Sequence, residues 1–238
     1  MRRFIGEKES DRSIALKGPE ARHASTVLRL KPGALVIAVC DGARYECRIT
    51  ESSSRMVRAD IIKTLAPAPP PSARITLAQA PPKGNGMDEI VRMASELGAE
   101  AVIPLQTGRT AAKLADAEKG ARLERWRNIA DSAEKVAGGA SPCKVLSPID
   151  LERLAILEPF RLKVVFWEEA SNPLKEVLNR AEKPESILVA IGPEGGFSRE
   201  EVDVLTKGGF QTASLGGRIL RAATAGVVAI SSILHHYS

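Results

Sequence analysis

Two short segments near the end of the chain have the residue types and spacing to hold a ligand. They are Ile191-Gly192-Pro193-Glu194-Gly195-Gly196-Phe197 and Leu215-Gly216-Gly217-Arg218-Ile219-Leu220-Arg221. Each sets glycines directly after an apolar run, Ser186–Ala190 in one case and Thr212–Leu215 in the other. Each then leads into a helical pattern, Ser198–Lys207 and Ala222–Leu234. Glycine lets a backbone take positive φ and come close to a ligand. Two such loops side by side at the carboxyl edge of a parallel sheet would form a crevice, the usual ligand position in open α/β sheets. The spacing fits neither a dinucleotide fingerprint nor a phosphate-binding P-loop. Glu194, the one charge in the first loop, reads either as a general base or as an acceptor that orients the loop through backbone N–H groups. Arg218 and Arg221 stay protonated and cannot be bases. They suit a developing anion or a phosphate, or else an ion pair at a subunit face.

Something must position those loops, and 238 residues are ample for a packed core in one large or two small domains. An apolar fraction of 44% is ordinary for a globular protein, and no run approaches membrane-spanning length. Met1-Arg2-Arg3-Phe4 leads into no signal-peptide core, so a cytoplasmic protein without a membrane partner is expected. Cys40, Cys47 and Cys143 fit no zinc spacing and predict neither a metal site nor a disulfide. The charge is unevenly placed. Residues 1–70 hold 13 Lys and Arg against 8 Asp and Glu, whereas residues 71–238 hold 21 against 21. The whole surplus of +5 therefore sits in the first third, which suggests either polyanion docking or plain solvation.

Residues 1–65 read as β-rich, with runs at Ser13–Leu16, Ala34–Cys40, Tyr45–Ile49 and Met56–Ile62 separated by turns such as Asp41-Gly42. One helical stretch, Glu20–Leu30, interrupts them, and the spacing suits a small barrel. Ala66–Ser72 is a stiff proline-rich linker, which predicts domains at 1–70 and 71–238. Beyond it strands at Arg74–Gln79, Ala101–Leu105, Leu162–Trp167, Ser186–Ala190 and Thr212–Leu215 alternate with helices. Those helices are expected over Met87–Leu97, Ala117–Val136, Pro173–Ala181, Ser198–Lys207 and Ala222–Leu234. Such alternation predicts an α/β domain with a mainly parallel sheet covered on both faces.

In order, the motifs resemble the bacterial 16S ribosomal RNA uridine-N3 methyltransferases, the RsmE family of the SPOUT superfamily. His23–Gly33 followed by Asp41-Gly42 is similar to the family's N-terminal signature. Lys83–Ile90, Ser95–Gly98, and Trp126–Ala130 with Ala133-Glu134 follow, and the two glycine loops complete the series. The resemblance implies a PUA-like N-terminal β-barrel and a SPOUT α/β domain with a deep trefoil knot. It also implies a homodimer, S-adenosyl-L-methionine as methyl donor, no metal, and 16S ribosomal RNA of the small ribosomal subunit as substrate. Three departures fall on the substrate side of the motifs. Gly217 stands where the family has proline, and Ala222-Ala223 where it has Thr-Glu. A Glu-Gln-x-Gly-Arg segment of the family is here Glu134-Lys135-Val136-Ala137-Gly138. The departures leave open a SPOUT methyltransferase for another RNA base, or a catalytically weak RNA-binding factor for ribosome assembly.

On this resemblance the donor-binding residues would be Ile191, Gly192, Pro193, Glu194, Gly195 and Gly196 with Leu215, Gly216, Arg218, Ile219, Leu220 and Thr224. Leu105 and Trp167, at strand ends, are expected to wall the cleft, with core packing as the other reading of Trp167. Thr224 could instead cap the last helix. Arg221, Arg218 and Glu194 are the catalytic candidates, and Arg22 and Arg29 are the candidates for RNA docking. His23 lies in the N-terminal domain and His235 and His236 in the tail, so no histidine falls in either glycine loop.

Overall fold

The structure is a computed structural model that describes residues 1–66, 71–110, 116–137 and 143–238. Most of the proline-rich stretch expected to separate the domains, 67–70, lies outside the described residues. The chain divides into two compact units, Met1–Pro70 with Glu134–Ser141, and Pro71–Ala133 with Pro142–Ser238.

The first unit is a six-stranded sheet. Its strands are β1 (Arg2–Ile5), β2 (Glu7–Lys8), β3 (Ser13–Lys17), β4 (Leu35–Cys40), β5 (Ala43–Ser52) and β6 (Met56–Leu65), in the order β1-β4-β5-β6-β3-β2. Only β1 and β4 run parallel. Asp41 and Gly42 join β4 to β5 with φ of 48° and 79°, the pair of positive values that a two-residue hairpin turn of type I′ requires. Alternate residues face inward, so Val36, Ala38, Cys47, Ile49, Val57 and Ala59 form one buried cluster with Phe4, Ile14 and Leu16. The expected helix is two short pieces, α1 (Gly18–Arg22) and a π-helical turn over His23–Val27. Burial pushes the Cys40 and Cys47 thiols up to about 11, so neither is a nucleophile at neutral pH.

The second unit holds β7 (Arg74–Gln79), β8 (Ala101–Gln106), β9 (Lys144–Val145), β10 (Ile149–Asp150), β11 (Leu162–Phe166), β12 (Ser186–Ile191) and β13 (Gln211–Ala213). Its helices are α2 (Gly86–Glu96), α3 (Asp116–Ala137, whose last residues from Glu134 belong to the first unit), α4 (Leu151–Ala155), α5 (Leu174–Arg180), α6 (Arg199–Lys207) and α7 (Ala222–His236). The strands are all parallel in the order β10-β8-β7-β12-β11-β13, with β9 also beside β8.

Alternation along the strands decides which helix covers which face. Ile75, Leu77, Val164, Phe166, Ile187, Val189 and Ile191 meet apolar residues of α2, α3, α5 and α7. Ala78, Ile103, Leu105, Val165, Leu188 and Ala190 meet those of α4 and α6. Helix α7 lies so close to β7 that a Cβ added at Gly226 would stand 2.6 Å from Gln79 Oε1. No helix among the described residues is long and apolar enough to cross a membrane.

Candidate functional site

Three neighbouring strands, β12, β11 and β13, end at one crevice of about 560 Å³. That volume is in the range of small-molecule sites, and the position beyond the carboxyl ends of parallel strands is the expected one. Its lining comes from Phe166–Glu168 at the end of β11, Ile191–Gly196 at the end of β12, and Ala213–Ala222 with Ala225 around the end of β13.

The first loop is folded tightly on itself. The Gly196 N–H donates to the Pro193 carbonyl at 2.9 Å, and Gly196 takes a φ of +65°. Gly192 is buried, and a Cβ there would lie 3.1 Å from both Gly196 C and Phe197 N. Buried Phe197 anchors the exit of the loop. Ser198 then caps α6 in a reciprocal arrangement with Glu201. The other Glu201 oxygen accepts the Gly108 N–H at 2.9 Å, and Arg109 Nη1 donates to the Gly195 carbonyl at 2.9 Å. The loop after β8 thus braces the first glycine loop.

Glu194 is committed to the backbone. Its Oε1 accepts the Lys83 N–H at 2.7 Å, which favours the loop-orienting reading over that of a general base.

The second loop is held at its base. Ser214 N–H donates to the Asn172 carbonyl at 2.9 Å, and Leu174 N–H donates to the Ser214 carbonyl at 3.1 Å. Gly216 then takes a φ of +107°, and Ile219 stands 90% exposed. Arg221 is the N-cap residue of α7, extended at φ −62° and ψ 147°, and its side chain caps nothing. Arg218 and Arg221 are both exposed, and neither has an ion-pair partner among the described residues. The charged lining is therefore Glu168 and Glu194 with Arg218 and Arg221, balanced in sign.

Most of the expected residues meet here: Trp167, Ile191 to Gly196, Leu215, Gly216, Arg218, Ile219, Leu220 and Arg221 all line the crevice. Two do not. Leu105 is fully buried in the cluster under α4 and α6, on the face of the sheet opposite Phe166 and Ile191, so Phe166 supplies the wall expected of it. Thr224 is exposed within the first turn of α7 and is neither its cap nor a lining residue; Ala222 and Ala225 take that place. Arg22 and Arg29 are exposed in the N-terminal unit. Glu168 and Arg109 sit outside the glycine segments and are brought to them only by the sheet order, whereas Glu201 follows the first loop directly in the Ser198-x-x-Glu201 capping pattern. Among the described residues no cluster of His, Cys, Asp and Glu could hold a metal ion.

Glu134 is buried on α3, its Oε2 without a hydrogen-bond partner among the described residues, and burial raises its carboxyl above the usual range.

Residues 69–234 match the model of the RNA methyltransferase domain, and residues 16–62 that of the RNA methyltransferase PUA domain; the chain belongs to this RNA methyltransferase family. Within the family it is similar to the protein named ribosomal RNA small subunit methyltransferase E in several bacteria. The Bacillus subtilis relative is 30% identical over 93% of this chain and 89% of its own. The Synechocystis relative is 32% identical over 95% of this chain and 74% of its own. A crystal structure of ribosomal RNA small subunit methyltransferase E from Neisseria gonorrhoeae bound to S-adenosyl methionine matches with a TM-score of 0.77. It is 27% identical, and the match covers 98% of this chain and 96% of that one. The family resemblance drawn from the ordered motifs is borne out.

Proposed function

We propose that this protein is an enzyme that methylates N3 of a uridine in 16S ribosomal RNA of the small ribosomal subunit, with S-adenosyl-L-methionine as donor. One observation carries the proposal. The crevice is built from two backbone-rich loops, in a chain whose fold matches that of a relative bound to this donor. The lining fits such a molecule. Phe166, Trp167 and Ile191 offer apolar wall for an adenine, and the glycines offer backbone polar groups at close approach.

The donor supplies a methyl group activated by a sulfonium. The chain must then align the RNA base with it, and alignment is the largest share of what a protein can give a displacement. Gly192–Gly196 and Leu215–Leu220 hold the donor, and Glu194, through Lys83, fixes the first loop. Uridine N3 must shed its proton to solvent, since neither arginine can accept it, and the guanidinium of Arg221 or Arg218 stabilises the anion that results. Methyl transfer of this kind needs no metal.

We infer further that residues 1–70 form a PUA-like β-barrel that docks RNA, and residues 71–238 a SPOUT domain whose chain end threads a deep trefoil knot. The work is cytoplasmic. Reversing charge at Arg22 and Arg29 together should weaken RNA binding, with a steep salt dependence as counterions are released, and leave donor affinity unchanged. Filter binding across a salt series, beside calorimetric titration of the donor, checks this. Collapse of donor binding would end the two-module division of labour.

We also propose a homodimer through α7. Ala223, Ala225, Val227, Val228 and Leu234 remain partly exposed on a helix already packed against the sheet, and an apolar remainder of this kind suits an isologous interface. Light scattering at micromolar protein should give twice the 25.5 kDa chain mass; a monomer would rule the dimer out.

Gly217, Ala222 and Ala223 support a neighbouring reading, the same chemistry on another base or another RNA. An RNA-binding assembly factor is less well supported, because a scaffold has no use for two ordered ligand loops. Comparing modified nucleosides in ribosomal RNA from a deletion strain and its parent separates the three. Loss of 3-methyluridine from 16S ribosomal RNA is the expected result, loss of a different modified nucleoside means another base, and no loss means a scaffold.

A further inference from the structure

Glu168 follows β11, the strand that lies between the two whose ends carry the glycine loops. It lines the crevice and leans onto the first loop. A Cβ added at Gly196 would stand 2.7 and 2.8 Å from its two carboxylate oxygens and 3.1 Å from its Cδ. The carboxylate thus occupies the space that a side chain at position 196 would need. Gly196 also has the positive φ that L side chains rarely adopt. The backbone alone disfavours a side chain there, because the carboxylate is the free end of a flexible side chain and can swing aside.

The carboxylate is nevertheless unengaged: among the described residues Glu168 has neither a hydrogen bond nor an ion pair. The other lining carboxylate, Glu194, already accepts the Lys83 N–H. Glu168 is the crevice's free anionic acceptor.

We propose that Glu168 is a donor-binding residue whose carboxylate accepts hydrogen bonds from the two ribose hydroxyls of S-adenosyl-L-methionine. The inference rests on the donor assignment above and extends it to a residue outside the glycine segments. Vicinal hydroxyls present two donors to a fork of two oxygens, and bonds to an ionised acceptor are the strong ones. The donor's ammonium is the competing partner. It shares its carbon with the donor's own carboxylate, and that end is drawn to Arg218, within the second loop. Glu168 leans on the first loop instead, which leaves it the ribose.

Calorimetric titration of the full chain with two probes tests this. S-adenosyl-L-methionine carries both candidate partners, while 5′-methylthioadenosine keeps the adenine and the ribose hydroxyls but lacks the amino-acid end. Glu168→Ala should weaken both probes by the same factor, roughly tenfold or more. Glu168→Gln, which keeps one acceptor, should lose less. The thermal midpoint should not move, because the side chain holds nothing in the protein. A loss confined to S-adenosyl-L-methionine would assign the carboxylate to the ammonium and overturn the ribose proposal. Unchanged affinity for both probes would remove Glu168 from the site, and a midpoint that falls along with affinity would make it structural. If the wild-type chain bound neither probe, the donor assignment would fail first and this inference with it.

Discussion

Valine at Gly196 or at Gly216 should abolish measurable donor binding, and the two should do so for different physical reasons. At Gly216 a Cβ would meet nothing within 4 Å, so the penalty is purely the backbone, held at φ +107° where a β-branched residue does not sit. Strain of this kind costs about 1–3 kcal/mol, and the exposed loop relieves it by moving away from the ligand. At Gly196 the φ of +65° strains the backbone in the same way, and the new Cβ also displaces the Glu168 carboxylate, 2.7 Å away, from its place in the crevice. Gly195 is the control. Its φ is not positive, and its nearest neighbour for a Cβ is Arg109 Cδ at an ordinary 3.7 Å. Gly195→Val therefore acts only by filling the crevice, and should lower donor affinity while the thermal midpoint stays put. A loss of at least about a hundredfold, near 2.7 kcal/mol, is expected at Gly196 and Gly216 in calorimetric titration. Normal affinity in Gly216→Val would show that the second loop does not hold the donor.

The contrast among these glycines marks the limit of what a sequence can state. Glycine after an apolar run announces a loop that comes close to something, and both loops and most of their lining were legible that way. Which glycine needs its positive φ, and which merely leaves room, depends on the turn actually formed. The sequence Asp41-Gly42 was readable in full because a two-residue hairpin turn has local chemistry. Period-two and helical patterns placed the long strands and helices to within a few residues. Short elements were invisible: β9 and β10 are two residues each, and β1 is a four-residue strand that pairs β4 across more than thirty positions of chain. The position of Leu105 at a strand end predicts a place in the cleft, but the face a strand residue takes depends on parity, which a one-residue change in register reverses. Glu168 stood outside every motif, and its place beside Gly196 follows from β11 lying next to β12, a fact of sheet order that no local pattern encodes.

The remaining large effect separates the two arginines of the second loop. Arg218 lies within the loop that carries Gly216 and Ile219, so Arg218→Ala should disturb donor affinity and turnover together. Arg221 sits where the loop becomes α7. Its carbonyl accepts the Ala225 N–H at 2.9 Å to open the helix, while its side chain has no capping role and no ion-pair partner among the described residues. Where the motif resemblance implies a glutamate two residues on, this chain has Ala223, so no carboxylate at that position holds the guanidinium back. An exposed, unneutralised guanidinium at the rim of the crevice is placed to meet an anionic substrate and not the donor. Arg221→Ala should therefore lower the methylation rate at least about tenfold, near 1.4 kcal/mol of barrier, with donor affinity unchanged. Single-turnover methylation of small-subunit RNA beside donor titration gives the split. Equal loss of donor binding in both variants would make Arg221 a structural residue of the loop. A normal rate in Arg221→Ala would mean that, with alanines at 222 and 223, another group stabilises the anion.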